Sequence, residues 1–582
     1  MKYLPVFFKL LIGWMPVVLL AAGFLVHVPC HAAGAQSGQA SGPESDQPIG
    51  PAPSRTSGTP PEQAVHPALP QTARIGISQT VGTPETPFWL HANRDGRIPL
   101  YSRSNTLMFG EYHTGFLRDS DLFDMDAGFR LDARISDAEN MLNFTEIYVH
   151  VLFRGWQLSA GRFYDTIGLN SGYLTTGSML MSRNALQPYK LRLSTPGFLP
   201  VPLAGGAVSF RARWSEALLT DNRFVDRARI HQKYLYLRVR PVPELDLIAG
   251  IVHNLMWGGT HPDDGRMHTS FNDYLRDVLA LPDDAASGNI TPKGNGLGGY
   301  DFGAQYRAGG WTAGAWRLFF IEDGTAMNLR SPWDGVWGAW LDLHDPQRPR
   351  RLVSYVTYEH INTKWQDGGG YKAIGRARFY THRVWRDGWV HHGHTLGTPL
   401  ILIDPSKMGT RDQLLVNNMI LGHHLGLAGQ LGRTLSWEMA AIYSRNYGIC
   451  RDQTSGGSCG GSAEEPVWER DDYVPYHTLR RDRYSFLLQL SFPVFRSAGQ
   501  EAGAPGAGAL GAGAPVAGAP DRRGASGYAG ERLPSHSSGA VFGRTGPEHG
   551  PGWQVHLSVA LDAGAFHNRP LFGFEAGLSR SL

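Results

Sequence analysis

The chain has 582 residues, with 54 Lys and Arg against 51 Asp and Glu and an aromatic load of 16 Trp, 22 Tyr and 26 Phe, yet its mean hydropathy is only −0.26. A formal charge of +3, spread along the chain, implies no nucleic-acid partner. No apolar run of about eighteen or more residues follows the first thirty, which excludes a helical membrane bundle but not a strand barrel, whose apolar residues occupy one face only.

The first segment reads as a signal peptide over residues 1–35. Lys2 and Lys9 precede a nearly all-apolar run from Leu10 to Val28, and Ala32, Ala33 and Ala35 follow, which is the order of an export signal. Ala33-Gly34-Ala35 has the small-x-small form, so cleavage after Ala33 or Ala35 is expected. The bulky Val28 and Pro29 before Cys30 speak against a lipoprotein signal; an uncleaved anchor is the other reading of so long a run. Residues 36–87 are dense in Pro, Gly, Ser and Thr and read as a disordered linker. A second such stretch, residues 497–552, repeats Gly503-Ala504-Pro505 and Gly513-Ala514-Pro515 and reads as a disordered insert.

Between these stretches period two dominates. Ile147, Val149, Val151 and Phe153 alternate with Glu146, Tyr148, His150 and Arg154; Val208, Phe210, Ala212 and Trp214 alternate with Ser209, Arg211 and Arg213. Leu235, Leu237 and Val239 interleave with Tyr234, Tyr236, Arg238 and Arg240; Phe486 to Phe492, Val555 to Leu561 and Phe572 to Leu578 repeat the pattern. Half-buried strands alternate in this way. A soluble sandwich would too, but three features favour a membrane barrel over residues 88–582. Trp156, Trp214, Trp311 and Trp553 mark strand ends, arginines crowd the polar face, and the last residues form a strand, although Arg580 interrupts its apolar face. The predicted fold class is therefore all-β, a transmembrane antiparallel outer-membrane barrel with a few short helices. If the last strand descends to the periplasm, parity places the 497–552 insert on the periplasmic side and the Cys450–Cys459 loop outside. Phe271-Asn-Asp-Tyr274-Leu275-Arg-Asp-Val278-Leu279 has helical spacing inside a long loop and is expected to be a short helix or plain loop.

Several separated stretches then carry a resemblance: Arg183 to Pro188 (Arg-Asn-Ala-Leu-Gln-Pro), His253 to Gly259 (His-Asn-Leu-Met-Trp-Gly-Gly), Trp389 to Gly397 (Trp-Val-His-His-Gly-His-Thr-Leu-Gly), Tyr358-Glu359-His360, Asn417 to Gly426, Trp437-Glu438-Met439 and Tyr443 to Gly448. From about Phe88 to Leu582 the sequence resembles the capsule-assembly Wzi family. The resemblance implies about 18 strands, helical elements near the N-terminus, folded loops over the outer opening, and lectin-like binding of capsular polysaccharide. It brings outer-membrane lipid and the barrel-insertion machinery as further partners, and no cofactor. The linker and the insert depart from the family pattern.

Sugar binding needs aromatic faces for pyranose rings and fixed polar groups for hydroxyls, with cations for acidic sugars. Candidates are Trp365, Tyr371, Arg376, Arg378 and Tyr380 around the Gly368-Gly369-Gly370 turn, then Trp385, Arg386 and Trp389, and a second cluster of Trp333, Asp334, Trp337 and Trp340. For any one aromatic the plainer role is girdle or lumen packing. His391-His392-Gly393-His394 would put His392 and His394 on one face of a strand, but lacks acidic or cysteine partners at a metal-binding spacing; lumen hydrogen bonding is expected. Cys450 and Cys459 bracket a polar loop and are a candidate disulfide or two unpaired thiols. Asp263-Asp264 and Glu464-Glu465 are adjacent pairs in loops, and neither a nucleophile elbow nor a P-loop is present, so no enzyme is expected. The functional expectation is a non-enzymatic surface lectin for capsule; the alternative is a channel for anionic saccharides through an arginine-lined lumen.

Overall fold

In the computed structural model the described residues are 72–119, 123–170, 173–202, 204, 206–267, 270–279, 294–322, 329, 332–343, 351–366, 379–412, 414–432, 434–449, 481–495, 552–567 and 569–582. Residues 1–71, which include the stretch read as a signal peptide, residues 497–551 of the Gly-Ala-Pro stretch and both loop cysteines, Cys450 and Cys459, lie outside them.

Alternating segments become strands β1 (Thr72–Gly82), β2 (Ser104–Asp119), β3 (Phe123–Ser136), β4 (Met141–Phe153), β5 (Trp156–Arg162) and β6 (Tyr189–Ser194, resumed at Leu199–Pro200). They continue as β7 (Val208–Leu218), β8 (Arg229–Val242), β9 (Leu245–Trp257), β10 (Asn295–Ala308), β11 (Trp311–Ile321) and β12 (Gly335–Asp342). The last six are β13 (Tyr355–Asn362), β14 (Ile420–Leu431), β15 (Leu435–Asn446), β16 (Arg481–Phe495), β17 (Gly552–Ala563) and β18 (Leu571–Ser581). Each pairs antiparallel with the next. Pairing of β1 with both β2 and β18, from Arg74 opposite Ser581 to Val81 opposite Ser104, closes an 18-stranded barrel with no free edge. Closure leaves every backbone ladder satisfied, the condition for strands in lipid.

The predicted alternation sorts cleanly across the wall. Outward-facing Leu142 is 72% and Leu191 56% exposed, and Phe144, Leu237, Phe302, Phe486 and Phe572 are exposed with them. A water-soluble protein does not leave such a belt bare; in a closed barrel it is the lipid-facing surface. Inward, Arg130, Arg192 and Arg213 are buried. Trp156, Trp311 and Trp553 stand at one barrel end, and Arg580 lies with its guanidinium 5.6 Å from the Trp553 ring, as a side chain reaching from the apolar face to the interface would. Trp214 departs from the girdle expectation: it sits within β7 against His231, ring centroids 4.4 Å apart.

One boundary is corrected and one open reading is resolved. Thr72–Gly82 lies inside the stretch read as linker, yet is the strand that closes the barrel; Ile75, Ile77 and Val81 alternate there, a signal diluted by the Pro- and Gly-rich residues before it. The possible helix in the β9–β10 loop is α2, Phe271–Val278, N-capped by Ser270, whose hydroxyl accepts the Asp273 N–H at 3.1 Å. Helix α1, Phe88–His91, is wholly buried.

Connections differ at the two ends. One carries tight turns such as Arg154-Gly155, with φ of 48° and 81°, as a two-residue hairpin requires. The other carries the long segments 83–103, 163–188, 258–294 and 363–419. Short turns face the periplasm and long loops the exterior in bacterial barrels. A charge on the belt tests the lipid assignment: Val559→Arg should cost about 2–4 kcal/mol if it meets the bilayer midplane, measured by denaturant unfolding in lipid, whereas a water-facing position would tolerate it.

Candidate functional site: a plugged lumen under an aromatic rim

Three of the long segments turn inward and fill the lumen. Residues 83–103 carry α1; residues 163–188 and 379–412 pack against it through Trp89, Leu90, Leu180, Met181, Trp385, Trp389, Leu396 and Leu400, all buried. Backbone pairs tie them together: Gly96 N–H donates to Asn184 O at 3.0 Å and Ser182 N–H to Leu396 O at 2.8 Å. Asp95 sits at the junction. It receives Arg97 Nη2 at 2.8 Å and Arg183 at 3.0 and 2.6 Å.

The wall holds this plug largely by carboxylates. Phe88 N–H donates to Asp562 of β17 at 2.9 Å, Leu169 N–H to Asp301 of β10 at 2.8 Å, Thr176 N–H to Glu359 of β13 at 2.6 Å and Tyr164 N–H to Glu146 of β4 at 3.3 Å. Tyr173 Oη donates to Glu438 of β15 at 2.9 Å, and Arg94 pairs with Glu575 of β18. Loop backbone inside a barrel needs acceptors for its N–H groups, and acids on inward strand positions supply them. Gly426 and Gly573 face the plug where a Cβ would press on the Leu174 carbonyl oxygen and on Leu90; their lack of a side chain admits the close approach.

The predicted site residues divide by location. Tyr380, Trp385 and Trp389 are 1%, 2% and 0% exposed, inside the plug. Tyr380 Oη donates to Met179 O at 2.5 Å and Trp389 Nε1 to Leu180 O at 3.2 Å. Their rings are covered and position the 379–400 segment. His391 and His394 pair across a small hairpin whose turn is His392-Gly393, φ 47° and 74°. His391 Nδ1 meets Leu186 O at 2.6 Å and His394 Nε2 meets Ile98 O at 3.3 Å, the lumen hydrogen bonding expected of them.

The segments that carry Trp333 and Trp365 are joined at the long-loop rim through Asp334. Asp334 accepts the backbone N–H groups of Trp365 at 3.0 Å and Gln366 at 2.5 Å, so one buried carboxylate ties the β11–β12 connection to the segment after β13. Trp333 is 53% exposed and Trp365 half-buried beside Lys364, whose Nζ is 5.2 Å from the Tyr447 ring centroid. Trp337, 51% exposed, faces outward on β12, its ring 5.0 Å from the Arg317 guanidinium, a girdle position. Trp340 points inward and stacks near Tyr355. Arg386 donates to Arg411 O at 2.8 Å, and both guanidiniums lie over Phe224, at 5.2 and 5.5 Å. Tyr371, Arg376 and Arg378 are outside the described residues. The plug-holding acids escaped sequence reasoning as a set, although Glu359, Glu438 and Asp562 each occupied the polar side of an alternating strand, which was the available signal.

The plug is also a set of buried neutral histidines. Burial pushes His391 down to about 3 against the opposing pull of Asp221, and burial reinforced by Arg383 pushes His382 down to about 4. Unfolded histidine titrates near ~6.5. With folded values below the unfolded one, the stabilisation is complete above that pH and is lost as pH falls towards 4. Protection factors of amides in 380–400, corrected for the intrinsic exchange rate at each pH, should therefore fall between pH 7 and 4.5 while those of strand amides hold; unchanged protection in 380–400 contradicts it. Asp95→Asn leaves Arg97 and Arg183 short of their buried partner and should cost about 3–5 kcal/mol, read as faster exchange over 88–98 and 180–188.

Comparison with solved structures returns other outer-membrane barrels. The Escherichia coli outer-membrane protein Wzi, described as a carbohydrate-binding barrel involved in group 1 capsule assembly, is 12% identical with a TM-score of 0.47, over 87% of this chain and 83% of that one. Acinetobacter baumannii OccAB4 (8% identity, TM-score 0.38, 89% and 99% covered) and Pseudomonas aeruginosa OprD (8%, 0.37, 88% and 94%) are similar at a lower level. No curated protein matches the chain. The family model for the capsule assembly protein Wzi matches residues 91–400, more than half of the sequence and the whole span from α1 to the inner hairpin, so this outer-membrane barrel belongs to the Wzi capsule-assembly family.

Proposed function

We propose that this protein is a non-enzymatic, lectin-like barrel that binds capsular polysaccharide at its long-loop rim and holds capsule on the cell surface. The observation that carries the reading is that Asp334, next to exposed Trp333, accepts the backbone N–H of Trp365 and so joins the two Trp-bearing segments, above a lumen filled by packed segments. Aromatic faces suit the apolar side of a sugar ring. Arg386, in the third inner segment, and Tyr371, Arg376 and Arg378 join the proposed site on sequence grounds. A polymer of repeating units engages such a rim through many weak contacts, so avidity does the holding. Tyr380, Trp385 and Trp389 act as supports. Outer-membrane lipid around the belt and the barrel-insertion machinery are the other proposed partners; no catalytic step is part of the reading.

The test is a deletion strain complemented with Trp333→Ala/Trp365→Ala. Cell-bound polymer should fall severalfold and released polymer rise, with total synthesis unchanged. Normal cell-bound capsule in the deletion strain would remove the proposal.

A further inference from the structure

We propose that the lumen wall formed by β6, β7 and β8 is an oxyanion-binding site, open towards the turn end, for the carboxylate of an acidic sugar or for a phosphate group. It goes beyond the rim lectin and stands whether or not the rim binds capsule.

At its centre Asp165 faces three cations: Arg213 Nη2 at 2.6 Å, Lys190 Nζ at 3.2 Å and Arg192 Nη1 at 3.3 Å. All four side chains are nearly fully buried. Arg211 joins them, its guanidinium over the same Tyr234 ring as that of Arg213, at 5.3 and 4.9 Å. The other neighbouring carboxylate, Asp301, is engaged by Tyr236 Oη at 3.0 Å and Leu169 N–H at 2.8 Å. Four cations thus stand against two carboxylates. Even without Lys190 the guanidiniums are in excess.

The unbalanced charge has free donors. Nε and Nη1 of Arg213, Nε of Arg192 and Nε of Arg211 are buried and have no hydrogen-bond partner among the described residues. Buried guanidinium N–H groups without acceptors are costly, and a second oxyanion is the partner their planar forks match. The aromatic rings hold these cations from the side: Phe163 lies 4.5 Å from Arg192 and 4.7 Å from Lys190. Towards the turn end the wall continues through Arg238, Arg240 and Arg307, all answered by Asp246. Side-chain exposure rises along the way, from 2% at Arg213 to 16% at Arg238 and 30% at Arg240. A positive wall in a low-dielectric tube draws an anion inward. A stretch of wall further round differs, since Arg130 on β3 is matched by Glu111 and Asp132.

The test uses the full-length protein in detergent. Unfolding temperature is followed against sodium phosphate, sodium glucuronate and sodium chloride at equal ionic strength, with galactose as the neutral control. A bound oxyanion raises it saturably. The site predicts a rise of several degrees with phosphate or glucuronate and none with chloride or galactose. A response to glucuronate assigns a sugar-borne carboxylate; a response to phosphate alone assigns a phosphate group. Arg213→Gln should weaken binding at least tenfold and Arg213→Lys less. Arg211→Gln, which is less buried, gives the same direction in a variant that keeps heat-modifiable migration if Arg213→Gln does not fold. Identical unfolding in all four solutes, or binding unchanged in folded Arg213→Gln or Arg211→Gln, overturns the site.

Discussion

The backbone amides of chain that enters the lumen must find acceptors there, and inward carboxylates on the barrel wall provide them. Asp562, Asp301, Glu359 and Glu146 take the N–H groups of Phe88, Leu169, Thr176 and Tyr164. A hydrogen bond of this kind contributes about 0.5–1.5 kcal/mol net and costs more if left unmade, and these four come from strands spread around the circumference. The plug is therefore fixed to the wall at several points. Its interior is then free to be apolar: Trp89, Trp385 and Trp389 pack where water would otherwise stand.

That division of labour has a functional consequence. A barrel built only to admit solutes needs a continuous wet passage, whereas here the segments that carry the family's motifs, Arg183–Pro188 and Trp389–Gly397, are spent on filling the outer half of the lumen. The rim above them is then held in a defined shape, because Asp334 fastens one loop to the next and the plug supports both. Binding surfaces on rigid supports lose less freedom when a ligand docks. The cationic wall meets the plug at Asp165 and faces the other opening.

Much of the fold was legible in the sequence. Period two in Ile147–Phe153 or Val208–Trp214 gave both the strands and the side each residue faces, since a closed wall between lipid and lumen imposes one pattern on every strand. Thr72–Gly82 was hidden because its few apolar residues sit next to a long Pro- and Gly-rich stretch. The plug was invisible to periodicity, as its segments lie in irregular chain whose contacts come from distant parts of the sequence; only the family resemblance pointed to occluding loops. The candidate site was half legible for the same reason. The segments carrying Trp333 and Trp365 are joined by a carboxylate between strands, while Tyr380, Trp385 and Trp389, equally aromatic in sequence, are buried, and nothing in their local spacing distinguishes the two groups.

The most direct measurement is conductance of the purified protein in planar lipid bilayers. A plug anchored by wall carboxylates predicts insertion into the bilayer with no steady ionic current, and the appearance of current when Glu359→Ala and Asp562→Ala release two of its anchors. Stable open-pore current from the unaltered protein would contradict the account.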